Sequence, residues 1–316
     1  MKNFAITGVA GFVAPRHLQA IQSTGNRLVA ALDPHDSVGI LDKYDFDVSF
    51  FTEFERFDRH LEKLRRYETD KKVDYLSVCS PNHLHDAHIR LALRVDADVI
   101  CEKPLVLKPS NLDILSELES ESGRRIYNVL QLRHHPAIVA LKERIAADKS
   151  GKKNDVVLTY ITSRGKWYHY SWKGDEERSG GVVTNIGIHF LDMLIWIFGP
   201  VMRNEVHIND ENKACGFTEL QNANVRWYLS IAQEDLPEQI FKSGKPTYRS
   251  ITVNGEELDF TEGFTDLHTE LYRSILAGTG FGIEDARAAI ELCWAVRHTR
   301  ITMSPSYLHP QMLKGG

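Results

Sequence analysis

Phe4-Ala5-Ile6-Thr7-Gly8-Val9-Ala10-Gly11-Phe12-Val13-Ala14 is the stretch on which the fold turns. Its first four residues are apolar or β-branched and read as a buried strand. The GxxGxxA run that follows lies at the strand-to-helix turn, where a dinucleotide fingerprint has to be. Gly8 permits a tight turn, Gly11 lets the backbone approach a pyrophosphate, and small Ala14 lets the next helix pack on the strand. That helix offers free N–H groups and the positive end of its dipole to phosphates. The following strand, 28–32, ends at Asp33, about 22 residues beyond Gly11. A carboxylate there grips both ribose hydroxyls of NAD and repels the extra phosphate of NADP. The pattern predicts a dinucleotide site that prefers NAD.

Outward from this turn, short apolar runs alternate with helical patterns. Strands are expected at 4–7, 28–32, 73–79, 98–101 and 126–129, and helices at 14–23, 83–94 and 110–122. Such alternation implies right-handed βαβ units and a parallel sheet covered on both faces, the doubly wound Rossmann α/β fold. The second half differs. Long strands are expected at 156–162, 201–208, 225–231 and 250–260, with Asn254-Gly255 as a hairpin turn. Helices are expected at 136–147, 187–198, 267–276 and 283–300. Segregated strands and helices indicate an α+β domain on a large, mostly antiparallel open sheet. The 316 residues suit about two domains, here 1–129 and 130–316.

Composition narrows the class. Lys plus Arg number 38 against 43 acidic residues, a net charge of −5 that is too small and too evenly spread for a nucleic-acid or membrane-surface protein. No segment reaches the roughly 18 uncharged apolar residues of a membrane span, and no signal peptide is visible. Cys79, Cys101, Cys215 and Cys293 form no CxxC pair and read as reduced thiols of a cytoplasmic protein. His83, His85 and His88 do not share one helical face, and no metal site is expected. An open apolar sheet face favours a homo-oligomer.

Chemistry is expected beyond the carboxyl ends of the parallel strands. Two such ends carry unusual sequences, Ser80-Pro81-Asn82-His83-Leu84-His85 and Glu102-Lys103-Pro104-Leu105. Lys103, partly desolvated beside a cationic nicotinamide, would lose affinity for its proton and could serve as a general base. In the second half, Gly180 to Asp192 carries Asn185, His189 and Asp192. The last two lie three apart and share a helical face near its start, as an acid/base histidine and its carboxylate would.

Together these residues resemble the glucose-fructose oxidoreductase/inositol dehydrogenase (Gfo/Idh/MocA) family. The resemblance rests on the Gly8 to Ala14 turn, Ser80-Pro81-Asn82, Glu102-Lys103-Pro104 and the Gly187 to Asp192 run. Within the family the chain is most similar to the UDP-N-acetylglucosaminuronic acid 3-dehydrogenases of bacterial surface-polysaccharide (O-antigen, lipopolysaccharide) synthesis. The stretches that carry this are Ala14 to His17, Gln131 to His135, Tyr160 to Gly165, Trp167-Tyr168, Ser171 to Gly174 and Gly263 to His268. The resemblance implies NAD-dependent oxidation of the sugar 3-hydroxyl, with Lys103 and His189 catalytic and one of the two removing the hydroxyl proton; Lys103 is the favoured base, with His189 orienting the hydroxyl or sharing the proton. It places Arg164, Tyr168, Asn185, Tyr248 and Arg249 on the substrate. It places Phe12, Val13, Ser80, Asn82, His83, Glu102, Lys103, Gln131, Trp172 and Lys173 on the cofactor, beside Gly8, Gly11 and Asp33. It also implies 2-oxoglutarate as a re-oxidant and a tetramer. The competing expectations are another sugar or polyol dehydrogenase of the family, or a non-catalytic NAD and sugar sensor.

Overall fold

A computed structural model describes residues 1–258, 266–302 and 307–313. The end of the expected 250–260 strand, at 259–260, and residues 263–265 of the family-like run lie outside the described residues.

In chain order the elements begin β1 (Asn3–Thr7), α1 (Ala14–Ser23), β2 (Arg27–Leu32), β3 (Ser49–Phe51), α2 (Phe54–Tyr67), β4 (Tyr75–Val78), α3 (His85–Arg94), β5 (Asp98–Cys101), α4 (Ser110–Ser122) and β6 (Ile126–Asn128). Then follow α5 (Pro136–Ala147), β7 (Asn154–Thr162), α6 (Trp167–Tyr170), α7 (Glu176–Ser179), α8 (Ile188–Phe198), β8 (Val201–Asn209), β9 (Lys213–Leu220), β10 (Ala223–Ser230), α9 (Glu238–Lys242), β11 (Thr247–Val253), β12 (Glu256–Glu257), α10 (Leu267–Leu276) and α11 (Ile283–His298).

The chain divides into two compact units, 1–131 with 266–287 and 132–265 with 288–316. The first unit is a wholly parallel sheet in the order β3-β2-β1-β4-β5-β6, the doubly wound arrangement. Every residue of β1 is buried, as a central parallel strand covered on both faces requires. The sequence reading placed all of 130–316 in one domain, whereas 266–287 belong to the first unit. The reason is packing. Leu271, Tyr272 and Ile275 of α10 complete the core formed by Phe4, Ile6, Leu18 and Ile21. Within this unit one strand and one α-helix lie outside the expected set, β3 and α2. The latter is highly charged and buries only Phe57, Leu61 and Leu64, at spacings of four and three.

The second unit carries a six-stranded sheet in the order β12-β11-β7-β10-β9-β8, antiparallel except for the β7–β10 pair. β9 was not expected. Asn254 and Gly255 both have positive φ, 54° and 85°, as the tight β11–β12 hairpin demands. One face of this sheet carries α8, where Tyr160 meets Phe190 at 4.7 Å between ring centroids. The opposite face carries Ile161, Cys215, Tyr228 and Leu236, with Ile240 and Met312 packed against them. The stretch Glu176–Phe198, which runs from α7 through α8, is long and apolar enough, by length and composition, to cross a membrane. It is 72% buried inside the protein, as a core helix is.

Candidate active site

The turn after β1 has the geometry of a phosphate cradle. Gly8 sits at φ +77°, and a Cβ there would lie 2.4 Å from the Cys79 carbonyl oxygen and 2.6 Å from the Ser80 nitrogen. A Cβ on Gly11 would lie 2.9 Å from the Gly8 oxygen. Only glycine fits at the first, and the second tolerates little more. The Gly8 and Gly11 N–H groups donate inward, to Leu32 O at 2.8 Å and Gly8 O at 3.0 Å. Among the described residues the Phe12 and Val13 N–H groups, just ahead of α1, have no such backbone acceptor, as suits an anion site at a helix start. Asp33 is buried at the end of β2. Its Oδ2 accepts from Ala10 N at 3.0 Å and its Oδ1 from His35 N at 2.9 Å, which ties this carboxylate to the glycine turn. These residues fit a dinucleotide.

At the ends of β4 and β5 the two unusual sequences are locked together. The Lys103–Pro104 peptide is cis. The ring nitrogens of buried His85 lie 2.7 Å from Pro104 O and 2.8 Å from Ser80 O, so the side chain sits between the two loops; burial favours the neutral ring, which has one N–H to give to one of these carbonyls. The Ser80 hydroxyl lies 2.9 Å from His88 Nδ1. Glu102 faces inward. His17 Nε2 and His268 Nε2 lie 3.0 and 3.2 Å from its Oε1, and Lys103 N donates to Oε2 at 3.3 Å. His17 Nδ1 is 2.7 Å from the Tyr272 hydroxyl, which is itself 2.7 Å from Ser77 Oγ. Burial alone would push the Glu102 carboxyl up, but the histidine donors hold it well below the usual range. Burial pushes His17 down. Among the described residues this is the one trio of His, Cys, Asp or Glu with ligand-type atoms within 4.8 Å of one another. Hydrogen bonds account for the arrangement: both rings donate to one carboxylate oxygen.

In the second unit, a π turn at Val183–Gly187 leads into α8 and sets half-buried Asn185 four residues before half-buried His189. π turns recur at functional sites because they re-aim a side chain within a helix. Asn185 Nδ2 donates to the buried Tyr168 hydroxyl at 2.7 Å, and burial pushes that phenol up. The charge of Arg164 reaches both Tyr168 and Lys173. Lys173 lies 4.4 Å from the Trp172 ring centroid and 5.8 Å from that of Trp167, within cation–π reach. Burial first, and the Arg164 charge second, push the Lys173 amine down. Half-buried Lys173 and exposed Arg164 thus bring two positive charges to one aromatic surface, a setting that suits an anion.

The structure rearranges some expected roles. Glu102, expected on the cofactor, has both side-chain oxygens engaged by His17, His268 and the Lys103 N–H. Asp192 was read as the partner of His189; its two oxygens accept from Arg133 Nε at 3.1 Å and Nη2 at 2.7 Å in a buried bidentate pair. Tyr248 and Arg249 were placed together on the substrate. As neighbours on β11 they project to opposite faces of the sheet. Tyr248 packs with Ile161 and Tyr228, whereas Arg249 pairs in register with Tyr160 on the face that carries α8. Gln131, Asn82 and His83 lie in the short turns that follow β6 and β4. His17, Ser77, His268 and Tyr272 drew no role from the sequence. Their signal was a polar residue on an apolar helix face or strand.

Comparison with known proteins agrees with this geometry. The family model described as oxidoreductase family, NAD-binding Rossmann fold, matches residues 2–130. The model described as oxidoreductase family, C-terminal alpha/beta domain, matches residues 142–281. The WlbA (WbpB) dehydrogenase from Thermus thermophilus, solved with NAD and UDP-GlcNAcA, superposes at TM-score 0.93 and 51% identity, covering 98% of this chain and 99% of that one. Its complex with NAD and α-ketoglutarate superposes at 0.94 and 52%, with the same coverage. The WlbA dehydrogenase from Bordetella pertussis shares the fold at TM-score 0.76 and 19% identity, over 96% and 98% of the two chains. The D-glucoside 3-dehydrogenase of Escherichia coli is 27% identical over 131 residues, 40% of this chain and 36% of its own length. The matched stretch spans little more than a third of the length of such curated relatives.

Proposed function

The chain belongs to the Gfo/Idh/MocA oxidoreductase family and carries its NAD-binding Rossmann domain, and from that membership we propose that it oxidises the 3-hydroxyl of UDP-N-acetyl-D-glucosaminuronic acid to a ketone. The observation that carries this reading is the match along 98% of the chain to a dehydrogenase solved with NAD and UDP-GlcNAcA. When bound, NAD supplies the two-electron, hydride-accepting chemistry at the sugar carbon. Gly8, Gly11, Phe12, Val13 and Asp33 hold it, with Ser80, Asn82, His83, Gln131 and Trp172 in supporting contact.

Lys103 Nζ takes the proton of the 3-hydroxyl, and His189 orients that hydroxyl. Asn185 and Tyr168, joined by their hydrogen bond, hold the sugar. Arg164 supplies the guanidinium that a uronate carboxylate calls for, and Lys173 stays with Trp172 on the cofactor. Arg249 serves the nucleotide end, and Tyr248, on the other face of the sheet, is withdrawn from that role. 2-Oxoglutarate is the re-oxidant in this reading, in line with the α-ketoglutarate complex of the relative. The same reading makes the protein a cytoplasmic homo-oligomer, a tetramer by family resemblance, in the supply of surface-polysaccharide sugars.

The test is an absorbance spectrum of the purified protein before and after addition of UDP-N-acetylglucosaminuronic acid. A band at about 340 nm, characteristic of the reduced nicotinamide, grows if the reading is right, and 2-oxoglutarate then erases it. Lys103→Ala abolishes the change while NAD still binds. If free polyols or glycosides, and no nucleotide sugar, produce the band, the substrate assignment falls. If Lys103→Ala retains turnover, the catalytic assignment falls.

A further inference from the structure

Glu102 is charged, buried and one residue from the proposed base, and it touches three separate elements. Its backbone N–H donates to Val78 O of β4 at 2.9 Å. Its side chain receives His17 of α1, the helix that opens at the dinucleotide turn, and His268 of α10. Its second oxygen receives the Lys103 N–H. On the far side of Lys103, the Pro104 carbonyl meets the ring of His85 of α3. Asn128 of β6 donates to Cys101 O at 2.9 Å. Lys103 is therefore fastened before and after, and most of the fastening passes through one carboxylate.

The protons in this chain can be placed. Glu102, ionised, has only acceptors to offer, so His17 and His268 each present Nε2–H to it. His17 Nδ1 then accepts the Tyr272 hydroxyl proton, and Tyr272 accepts that of Ser77. Each member is satisfied with Glu102 negative and His17 neutral. A neutral Glu102 would need His17 or His268 to change tautomer and accept its proton, whereas the ionised form accepts all three N–H groups at once.

We propose that His17, Glu102 and His268 form a positioning clamp for Lys103, one that fixes the lysine loop to the dinucleotide-binding helix and keeps a permanent negative charge beside the base. The inference rests on the assignment of Lys103 as base. Glu102 touches neither substrate nor the reacting atoms in this scheme; it acts through its neighbour. The groups that face it are His17 from α1, His268 and Tyr272 from α10, Cys79 after β4, Cys101 of β5, His85 of α3 and the Lys103 N–H; the charge of Lys103, like that of Glu102, reaches His85. Glu102 is the only acid among them. Removing its charge makes the Lys103 ammonium less favourable, so the base becomes available at lower pH.

The experiment is the pH profile of the single-turnover rate for the parent and for Glu102→Gln, His268→Leu and His268→Gln, on the full chain with NAD and UDP-N-acetylglucosaminuronic acid. Glu102→Gln lowers kcat by roughly 10- to 100-fold, the cost of a misplaced catalytic group. It also moves the acid limb of the profile down by about one pH unit, as loss of a neighbouring opposite charge does. His268→Leu removes one donor and slows turnover; His268→Gln restores an N–H at nearly the same place and recovers most of the lost rate. Nitrogen NMR of labelled histidine reports His17 as the neutral Nε2–H tautomer. A Glu102→Gln enzyme with parental rate and an unmoved acid limb overturns the proposal, as does a His268→Gln enzyme no better than His268→Leu. Should Glu102→Gln fail to fold, the His268 pair decides alone. The assignment of Lys103 fails separately, through an active Lys103→Ala.

Discussion

Replacing Gly8 with alanine is the sharpest test of the cofactor turn. At φ +77° an L side chain is strained whatever the space, and the left-handed region costs about 1–2 kcal/mol for a residue with a Cβ. That alone is a factor of roughly 5–30 in an equilibrium. Space is also lacking, because the new Cβ would stand 2.4 Å from the Cys79 carbonyl oxygen, 1.0 Å short of the 3.4 Å at which ordinary contact begins. The obstacle is backbone, which cannot swing aside as a side chain does. The turn must therefore shift by up to about 1 Å, carrying the Phe12 and Val13 N–H groups with it, and misplacement on that scale costs on the order of 100-fold. Gly8→Ala is expected to weaken NADH binding at least ~10-fold by calorimetric titration, allowing for partial relaxation. Gly11→Ala, with one contact at 2.9 Å and no positive φ, falls between Gly8→Ala and the parent. Gly25→Ala is the control: its φ is +72° and nothing lies within 4 Å of the added methyl. It should lower stability and leave NADH affinity unchanged. A folded Gly8→Ala protein that binds NADH as tightly as Gly25→Ala refutes the reasoning.

Two further outcomes follow from the buried charges. Arg133→Met removes the bidentate guanidinium partner of the Asp192 carboxylate, whose side chain is only 4% exposed, and should destabilise the second unit, by up to about 3–5 kcal/mol. Adding Asp192→Leu should recover most of that loss in a chemical-denaturation cycle, and a double variant no more stable than Arg133→Met contradicts the pairing. His88 is pushed down to about 4 by burial, from 6.5. The unfolded chain therefore takes up a proton below about pH 6.5 that the folded chain refuses until about 4, so stability falls across that window by about 3 kcal/mol and then levels. His88→Gln should flatten this part of the curve of unfolding midpoint against pH.

Much of the scaffold was legible because its signals are local. The β1 strand, the glycine turn and α1 are contiguous, α4 ends where Gly123 takes φ +64°, and the Asn254-Gly255 hairpin announces itself in two residues. What escaped has a physical reason in each case. α2 is so charged that its three buried positions are hard to see. β9 contains Gly216, normally a weak strand residue. A Cβ there would lie 2.2 Å from Glu205 O and 2.5 Å from the Trp227 ring, so the crossing of that ring requires the glycine that hid the strand. The site divides along the same line. Lys103 and Asp33 stand at strand ends, where chemistry is expected, but the partners of Glu102 lie 85 and 166 positions away and leave no periodic trace. The opposed directions of Tyr248 and Arg249, by contrast, follow from strand alternation and could have been read.

The first unit is discontinuous, and its last helix arrives late. A ribosome has made all of 1–131 long before α10 emerges, and until then the nascent sheet lacks Leu271, Tyr272 and Ile275 over its core. It lacks also the second donor to a carboxylate already committed to the interior. Vectorial folding of this unit therefore stops at an unfinished stage, with an apolar groove along α1 open to chaperones or to aggregation while the other unit is still being synthesised. The same logic bears on fragments. Expressing 1–131 alone should give an unstable protein, and a workable minimal nucleotide-binding piece has to bring residues 266–287 back across a short linker, reconnecting in the gene what the fold has already joined.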